Sequence, residues 1–256
     1  MSVELEKNGD IAILRLNRPE ALNALSFQIL EEIGSAIDDV ARMSDVRALL
    51  VTGAGDKAFC AGADIKELRN RSLIAQKRGA ELGQTVFAKL DALPIASVAL
   101  VNGYAFGGGA ELALACTFRL ASQAAIFGLP EIKLGLIPGY GGTQRLPRLI
   151  GEGRALEIIM TGRNVNAEEA ERIGLVNAVV EGDLMEAGIA FAHRFTRYSL
   201  PALEFARCAV QRAHELPLAE GLRVEADLST LAYQTKDAEE GMAAFEEKRK
   251  PEFRDE

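Results

Sequence analysis

Ile95-Ala96-Ser97-Val98-Ala99-Leu100-Val101-Asn102-Gly103-Tyr104-Ala105-Phe106-Gly107-Gly108-Gly109-Ala110-Glu111-Leu112-Ala113-Leu114 is the stretch that decides the fold. Its first third is an apolar run of strand length, closed by the turn pair Asn102-Gly103, and a helix then starts in the triple glycine and runs through Leu112 and Leu114. The same alternation recurs on both sides. Ile11 to Leu16 reads as a strand ending before Asn17-Arg18-Pro19, and Val46 to Thr52 as another, closed by Gly53-Ala54-Gly55-Asp56. Phe118 to Ala121 and Leu175 to Val180 are further strands. Between them Ser26 caps a helix predicted over 27–43, whose apolar residues Ile29, Ile33, Ile37 and Val40 keep helical spacing. Asn166 opens another helix that ends near Gly174. Strands alternating with helices predict an α/β domain with buried strands. After Asp183 the pattern is helical to the end, broken at Pro201 and Pro217. The expected division is an α/β core over 1–197 and a helical C-terminal region over 198–256.

The 256 residues suffice for a sizeable core, and 48% hydrophobic with 26% charged residues is ordinary for a globular chain. A formal charge of −8, with basic clusters only at Arg69-Asn70-Arg71, Lys77-Arg78 and Lys248-Arg249-Lys250, argues against nucleic acid as partner. No apolar run approaches the roughly 20 residues of a membrane span, and the N-terminus carries no leader pattern. Cys60, Cys116 and Cys208 form no close pair, which fits a reducing, cytoplasmic setting better than a disulfide framework or zinc site. His193 and His214 both fall in late helical sequence, so nothing in their spacing supports a nucleophilic triad.

Two glutamates carry the chemistry. Glu111 follows the triple glycine, and Glu131 follows Phe127-Gly128-Leu129-Pro130. A lone glutamate is commonly a solvated surface residue, yet both of these sit in apolar stretches where a carboxylate is costly to bury. Two carboxyls held together in a dry pocket take different protonation states, one serving as acid and the other as base. Three glycine-rich segments accompany them: Ala58-Phe59-Cys60-Ala61-Gly62-Ala63-Asp64, Gly107 to Gly109, and Ile137-Pro138-Gly139-Tyr140-Gly141-Gly142-Thr143-Gln144-Arg145. Each alone is a tight turn. Two turns that open helices, however, aim unpaired N–H groups outward and together make an oxyanion hole. None has the spacing of a phosphate-binding or dinucleotide loop.

Taken in order, these segments resemble the enoyl-CoA hydratase (crotonase) family. The resemblance runs from Asn17-Arg18-Pro19-Glu20-Ala21-Leu22-Asn23-Ala24-Leu25, through Ala61-Gly62-Ala63-Asp64, Gly107–Glu111, Pro130-Glu131 and Gly141-Gly142-Thr143-Gln144-Arg145-Leu146, to Phe245 and Lys248-Arg249. It implies a spiral of repeated β-β-α units with a C-terminal helical trimerisation region, as a homotrimer or a hexamer of two stacked trimers. It further implies that the N–H groups of Ala61 and Gly108 form the oxyanion hole for a thioester carbonyl. Ala61, Gly62, Ala63 and Asp64 would line the coenzyme A portion of an acyl-CoA substrate. Glu111 would activate water for attack on C3, and Glu131 would hold that water and protonate C2. Phe245 and Lys248 would reach the coenzyme A of a neighbouring subunit. The implied activity is hydration of a 2-enoyl-CoA in fatty-acid or related acyl-CoA degradation, with no metal or redox cofactor. Within the family, Δ3,Δ2-enoyl-CoA isomerases manage with one glutamate and many have an apolar residue where Glu111 stands. Hydratases for branched or aromatic-pathway acyl groups, and an RNA-binding relative, are the remaining alternatives.

Overall fold

The computed structural model describes residues 2–256. The chain divides into two compact units, Met1–Ala190 and Phe191–Glu256, the division falling within a helix. The first unit holds two sheets. Strands β1 (Val3–Asn8), β2 (Ile11–Leu16), β3 (Ala48–Gly53), β5 (Ala96–Val101), β7 (Phe118–Ser122) and β10 (Ala178–Val180) form the larger one, in the order β1-β2-β3-β5-β7-β10. Strands β4 (Ala58–Cys60), β6 (Tyr104–Phe106), β8 (Ile126–Gly128) and β9 (Val165–Asn166) form the smaller one, in the order β4-β6-β8-β9. Among the described residues, only β1 and β9 run antiparallel to their neighbours.

The order of these strands is a spiral. The chain lays down one strand in the large sheet, crosses to the small sheet for the next, and returns; β3–β4, β5–β6 and β7–β8 are successive turns. Strands β3 and β5 are buried almost throughout, which is why they read as continuous apolar runs rather than alternating ones. The helices of this unit are α1 (Phe27–Ala41), α2 (Ile65–Leu68), α3 (Leu73–Ala92), α4 (Gly108–Ala115), α5 (Gly142–Ile150), α6 (Glu152–Thr161) and α7 (Ala167–Arg172). Ser26 Oγ accepts the Ile29 N–H at 3.1 Å, and Ile29, Ile33, Ile37 and Val40 are buried, as the spacing predicts. Asn166 likewise caps α7, accepting the Glu169 N–H at 2.8 Å. The predicted strands at Ile11, Val46, Ile95 and Phe118 are all present, within two residues at their ends.

Helix α8 (Leu184–Thr196) spans the division, and α9 (Leu200–Arg212), α10 (Leu218–Ala232) and α11 (Lys236–Glu247) build the second unit. Pro217 stands at the N-cap of α10 and Pro201 in the first turn of α9. Pro201 therefore starts a helix instead of breaking one, because its missing N–H would be unpaired there anyway. After α11 the chain folds back on itself: the buried carboxylate of Asp237 accepts the N–H groups of Arg254 at 2.7 Å and Asp255 at 3.0 Å.

The spiral brings backbone into contact with backbone, nowhere more closely than at Gly109. A Cβ there would lie 2.0 Å from the Cys60 carbonyl oxygen. Gly109→Ala is therefore expected to lower stability by about 3 kcal/mol or more. Gly153→Ala in α6, where a Cβ meets nothing within 4 Å, is expected to raise it by about 0.5–1 kcal/mol. Urea midpoints of the two variants check the contrast; equal midpoints would refute the close approach.

Candidate active site

Strands β4, β6 and β8 lie side by side and parallel, so they end at one edge of the small sheet. Each then delivers one part of a site. Beyond β4 come Ala61, Gly62 and Ala63; beyond β6 come Gly107 and Gly108; beyond β8 come Leu129, Pro130 and Glu131. The first two pieces touch: a Cβ on Gly62, whose φ is +104°, would stand 2.9 Å from the Phe106 carbonyl oxygen.

The backbone donors differ from the sequence expectation at one position. The Ala61 N–H is not available, because it donates to the Leu22 carbonyl at 2.9 Å. Ala63 is the residue paired with Leu25 in an isolated parallel bridge. Leu25 N–H donates to Gly62 O at 2.8 Å and Asp64 N–H to Leu25 O at 2.7 Å. In a parallel pair one residue of the bridge makes both bonds, here Leu25, and the other, flanked by them, turns its own N–H away from the partner strand. The Ala63 N–H is thereby directed to the side opposite Leu25. Gly108 is the first residue of α4, following an N-cap glycine with φ +48°, so its N–H has no acceptor within the helix. The sequence pattern pointed to Ala61 as a donor; the N–H of this loop that turns away from Leu25 is two residues later, at Ala63, and the single-residue bridge that turns it leaves no mark in the composition.

Glu111 lies in the first turn of α4, a helix whose every residue is buried, and is itself only 1% exposed. Its Oε1 accepts two N–H groups at 2.8 Å each, from Tyr140 and Gly142. Burial pushes its pKa up to about 7; the nearby Glu131 charge adds to the rise, while the Gly142 and Tyr140 N–H groups and the Arg145 cation oppose it. Arg145 holds the donating turn. It contacts the Tyr140 carbonyl at 3.3 Å and is anchored by Asp91, at the end of α3, at 2.7 Å. The far end of α4 is tied down by the buried Arg119, whose guanidinium donates to the carbonyls of Cys116 at 2.6 Å and Leu175 at 2.8 Å.

Glu131 sits in a 3-10 turn, Pro130–Leu134, and is half-buried. Its Oε1 lies 3.0 Å from the place a Gly107 Cβ would take, and its Oε2 is enclosed with no hydrogen-bond partner among the described residues. Burial raises its pKa as well. The Tyr140 ring closes the wall beside Gly108: a Cβ on Gly108 would lie 3.1 Å from it, and it packs edge-on against Phe87 with centroids 5.8 Å apart. Cys60 is fully buried and its thiol is pushed up to about 12, so it is a packing residue. Asp64 caps α2 and pairs with Arg18 at 3.2 Å. Phe245 and Lys248 belong to the second unit. Phe245 is 84% exposed in the last turn of α11, and Lys248 is its left-handed C-cap.

The profile of the family described as enoyl-CoA hydratase/isomerase matches residues 6–256. The chain belongs to the enoyl-CoA hydratase/isomerase family. Among its relatives, a short-chain-enoyl-CoA hydratase of Clostridium acetobutylicum is 42% identical, over 97% of this chain and 96% of the relative. A crotonyl-CoA hydratase of Syntrophomonas wolfei is 43% identical, over 98% and 97%. The crystal structure of an enoyl-CoA hydratase from Bacillus anthracis superposes with a TM-score of 0.95 at 39% identity, covering 100% of both chains. The spiral of β-β-α units expected from the sequence is thus the fold of this enoyl-CoA hydratase/isomerase family member.

The buried carboxyl has a consequence for stability. Folded Glu111 titrates near 7 against 4.5 for an ordinary glutamate, so the folded state holds its proton more tightly. The stabilisation this provides is complete below the lower value and is lost as pH rises through the higher. Glu111→Gln keeps an oxygen for the Tyr140 and Gly142 donors and removes the buried charge. The variant is expected to melt above the parent, by a margin that widens from pH 5 to pH 8. Thermal melts across that range check it, and a margin that narrows with rising pH would refute it.

Proposed function

We propose that this protein is an enoyl-CoA hydratase that adds water across the 2,3 double bond of a 2-enoyl-CoA. The observation that carries the reading is the coupled carboxyl pair, Glu111 and Glu131, set against the turn that frees the Gly108 N–H. The N–H groups of Ala63 and Gly108 accept the thioester oxygen as it gains enolate charge; loss of one such donor typically costs about 10²–10³ in rate. The pair shares one proton, and in the arrangement that reacts it sits on Glu131 with Glu111 ionised: water attacks C3, its proton passing to Glu111, while Glu131 gives its proton to C2. The product is the 3-hydroxyacyl-CoA, and the pair is left with one proton, now on the other carboxyl. Exchange with solvent restores the starting arrangement.

The reaction uses no group beyond these side chains and N–H donors, so chelators are expected to leave the rate unchanged. The short-chain-enoyl-CoA and crotonyl-CoA hydratases among its relatives make crotonyl-CoA the substrate to begin with. The three free cysteines fit a cytoplasmic setting. Ala61, Gly62, Ala63 and Asp64 serve the coenzyme A end, Ala61 through its backbone fold rather than as a donor. Phe245 and Lys248 serve the same ligand from a neighbouring subunit.

Purified protein without added metal or nucleotide is expected to bleach the conjugated thioester absorbance of crotonyl-CoA, and absence of bleaching across straight and branched enoyl-CoAs would rule hydration out. The two glutamates are expected to fail differently. Glu131→Gln abolishes both hydration and exchange of the C2 proton. Glu111→Gln lowers hydration by about 10²–10⁴ yet retains C2 exchange, since Glu131 and the donors remain. Incubation of each variant with 3-hydroxyacyl-CoA in deuterated water, followed by mass spectrometry, separates them; equal exchange would mean the pair works only as one unit.

Assembly rests on the second unit. Leu222 and Leu231 are each 53% exposed and Leu218 79%, more apolar surface than four helices leave open without purpose. A homotrimer or hexamer is expected, and a monomer by light scattering at micromolar concentration would defeat both this and the cross-subunit role of Phe245 and Lys248.

A further inference from the structure

The segment Asn17–Leu25 is the one motif of the sequence to which the reaction assigns nothing. Its backbone is strained. Leu22 and Asn23 are consecutive non-glycine residues in the left-handed region, with φ of 51° and 56°. Asparagine tolerates that conformation; leucine does so at a cost, and such strain persists only where the surroundings fix it.

What fixes it is the Asn23 side chain, 1% exposed. Both amide protons are used, on the carbonyls of Ala54 at 3.0 Å and Ala58 at 2.9 Å. Its Oδ1 accepts the Arg18 N–H at 2.9 Å, and its own N–H returns to the Arg18 carbonyl at 2.9 Å. The amide thus fastens the strained turn to both ends of the loop that leads into β4. The turn in turn holds the segment after β4 by three backbone hydrogen bonds: Ala61 N–H to Leu22 O, Leu25 N–H to Gly62 O, and Asp64 N–H to Leu25 O, at 2.7–2.9 Å. The Arg18–Asp64 ion pair at 3.2 Å closes the same loop from outside. Ala63 stands between the second and third of those bonds. Its N–H direction is therefore set by Leu25, whose position is set by Asn23.

We infer that Asn23 is a positioning residue for catalysis, one that aims the Ala63 N–H at the substrate thioester oxygen by clamping Leu22–Leu25 against the end of β4. The inference rests on the proposed hydration and on Ala63 and Gly108 as its donors. Asn23 is buried and its hydrogen bonds go to the backbone of Arg18, Ala54 and Ala58, so its loss acts through geometry. Misplacement of a reacting group by about 1 Å costs on the order of 10² in rate.

The variants are Asn23→Gly, which adopts a positive φ freely and so deletes the clamp without adding backbone strain, and Asn23→Asp, which keeps the shape and the acceptor for Arg18 N–H but loses both donors. The readout is 4-dimethylaminocinnamoyl-CoA, a donor–acceptor chromophore whose absorption moves to longer wavelength when its carbonyl oxygen accepts hydrogen bonds. The wavelength of the bound band is independent of how much of a variant is folded, so a poorly folding variant still reports. The parent is expected to shift the band strongly. Both variants are expected to shift it less than half as far and to hydrate crotonyl-CoA about 10² more slowly in kcat, with a smaller change in KM. A full shift in both variants would overturn the inference, whatever their rates. No shift in the parent would overturn the donor pair and the inference with it. A parent that shifts the band yet hydrates no enoyl-CoA would instead sink the hydratase reading while leaving the role of Asn23 intact.

Discussion

The carboxyl group of a glutamate that is only 1% exposed must be solvated by protein. Glu111 is solvated by the N–H groups of Tyr140 and Gly142, at 2.8 Å. That requirement reaches far beyond the side chain. It favours a glycine at 142, where a Cβ would crowd the carboxylate oxygen at 3.1 Å, and it requires a turn that presents two N–H groups to one point. The turn needs Arg145 at its own carbonyl and Asp91 behind Arg145. It needs α4 to stay in place, which Gly109 allows by letting the helix lie on Cys60 and Arg119 secures at the other end. Helices α3, α4 and α5 are locked together through these contacts. The balance is one-sided: the donors and Arg145 favour the ionised carboxylate, but burial and Glu131 favour the neutral acid and prevail, lifting the titration to about 7. A group that must both take and release a proton works best there.

The parts of this arrangement that were legible in the sequence are those that rest on local chemistry. Ile11–Leu16 appears as a strand with the bounds its apolar run gives, because it is buried on both faces. Ser26 and Asn166 announce their helices through the side-chain oxygens that cap them. The triple glycine announces α4 because only glycine fits where backbones nearly touch. Strand β1 stayed hidden: Val-Glu-Leu-Glu-Lys-Asn lies at the sheet's edge, where half the residues meet solvent. The small sheet stayed hidden for another reason. Its strands are two or three residues long, too short to show a period. Helix α3 has a weak apolar pattern because Gly79 and Gly83 are where Phe27 and Tyr140 press against it.

The site shows the same division. Glu111 and Glu131 stand out as acids in apolar sequence; in the fold Glu111 lies in the first turn of α4 and the Glu131 carboxyl lies against Gly107. Which alanine N–H turns away from the Leu25 segment is decided otherwise, by the register between Leu25 and Ala63, residues far apart in the chain. Residue types mark where charge is buried; they do not mark which peptide in an extended segment faces inward. Arg145 belongs with the hidden part too, since its partners come from a different helix and a backbone carbonyl.

The three parallel strands that end together have one further implication. The donor on the Ala61–Ala63 segment, the helix that starts at Gly108, and the Glu131 turn come from three successive windings of the chain, and no winding carries more than its own share. On the reaction proposed above, a descendant gene that rewrites the winding after β8 keeps the means of polarising a thioester and alters only what is done with the resulting enolate. Replacement of Glu111 alone leaves polarisation and one proton carrier. Such a layout lets selection explore new acyl-CoA chemistries one winding at a time, without dismantling the part that binds the carbonyl.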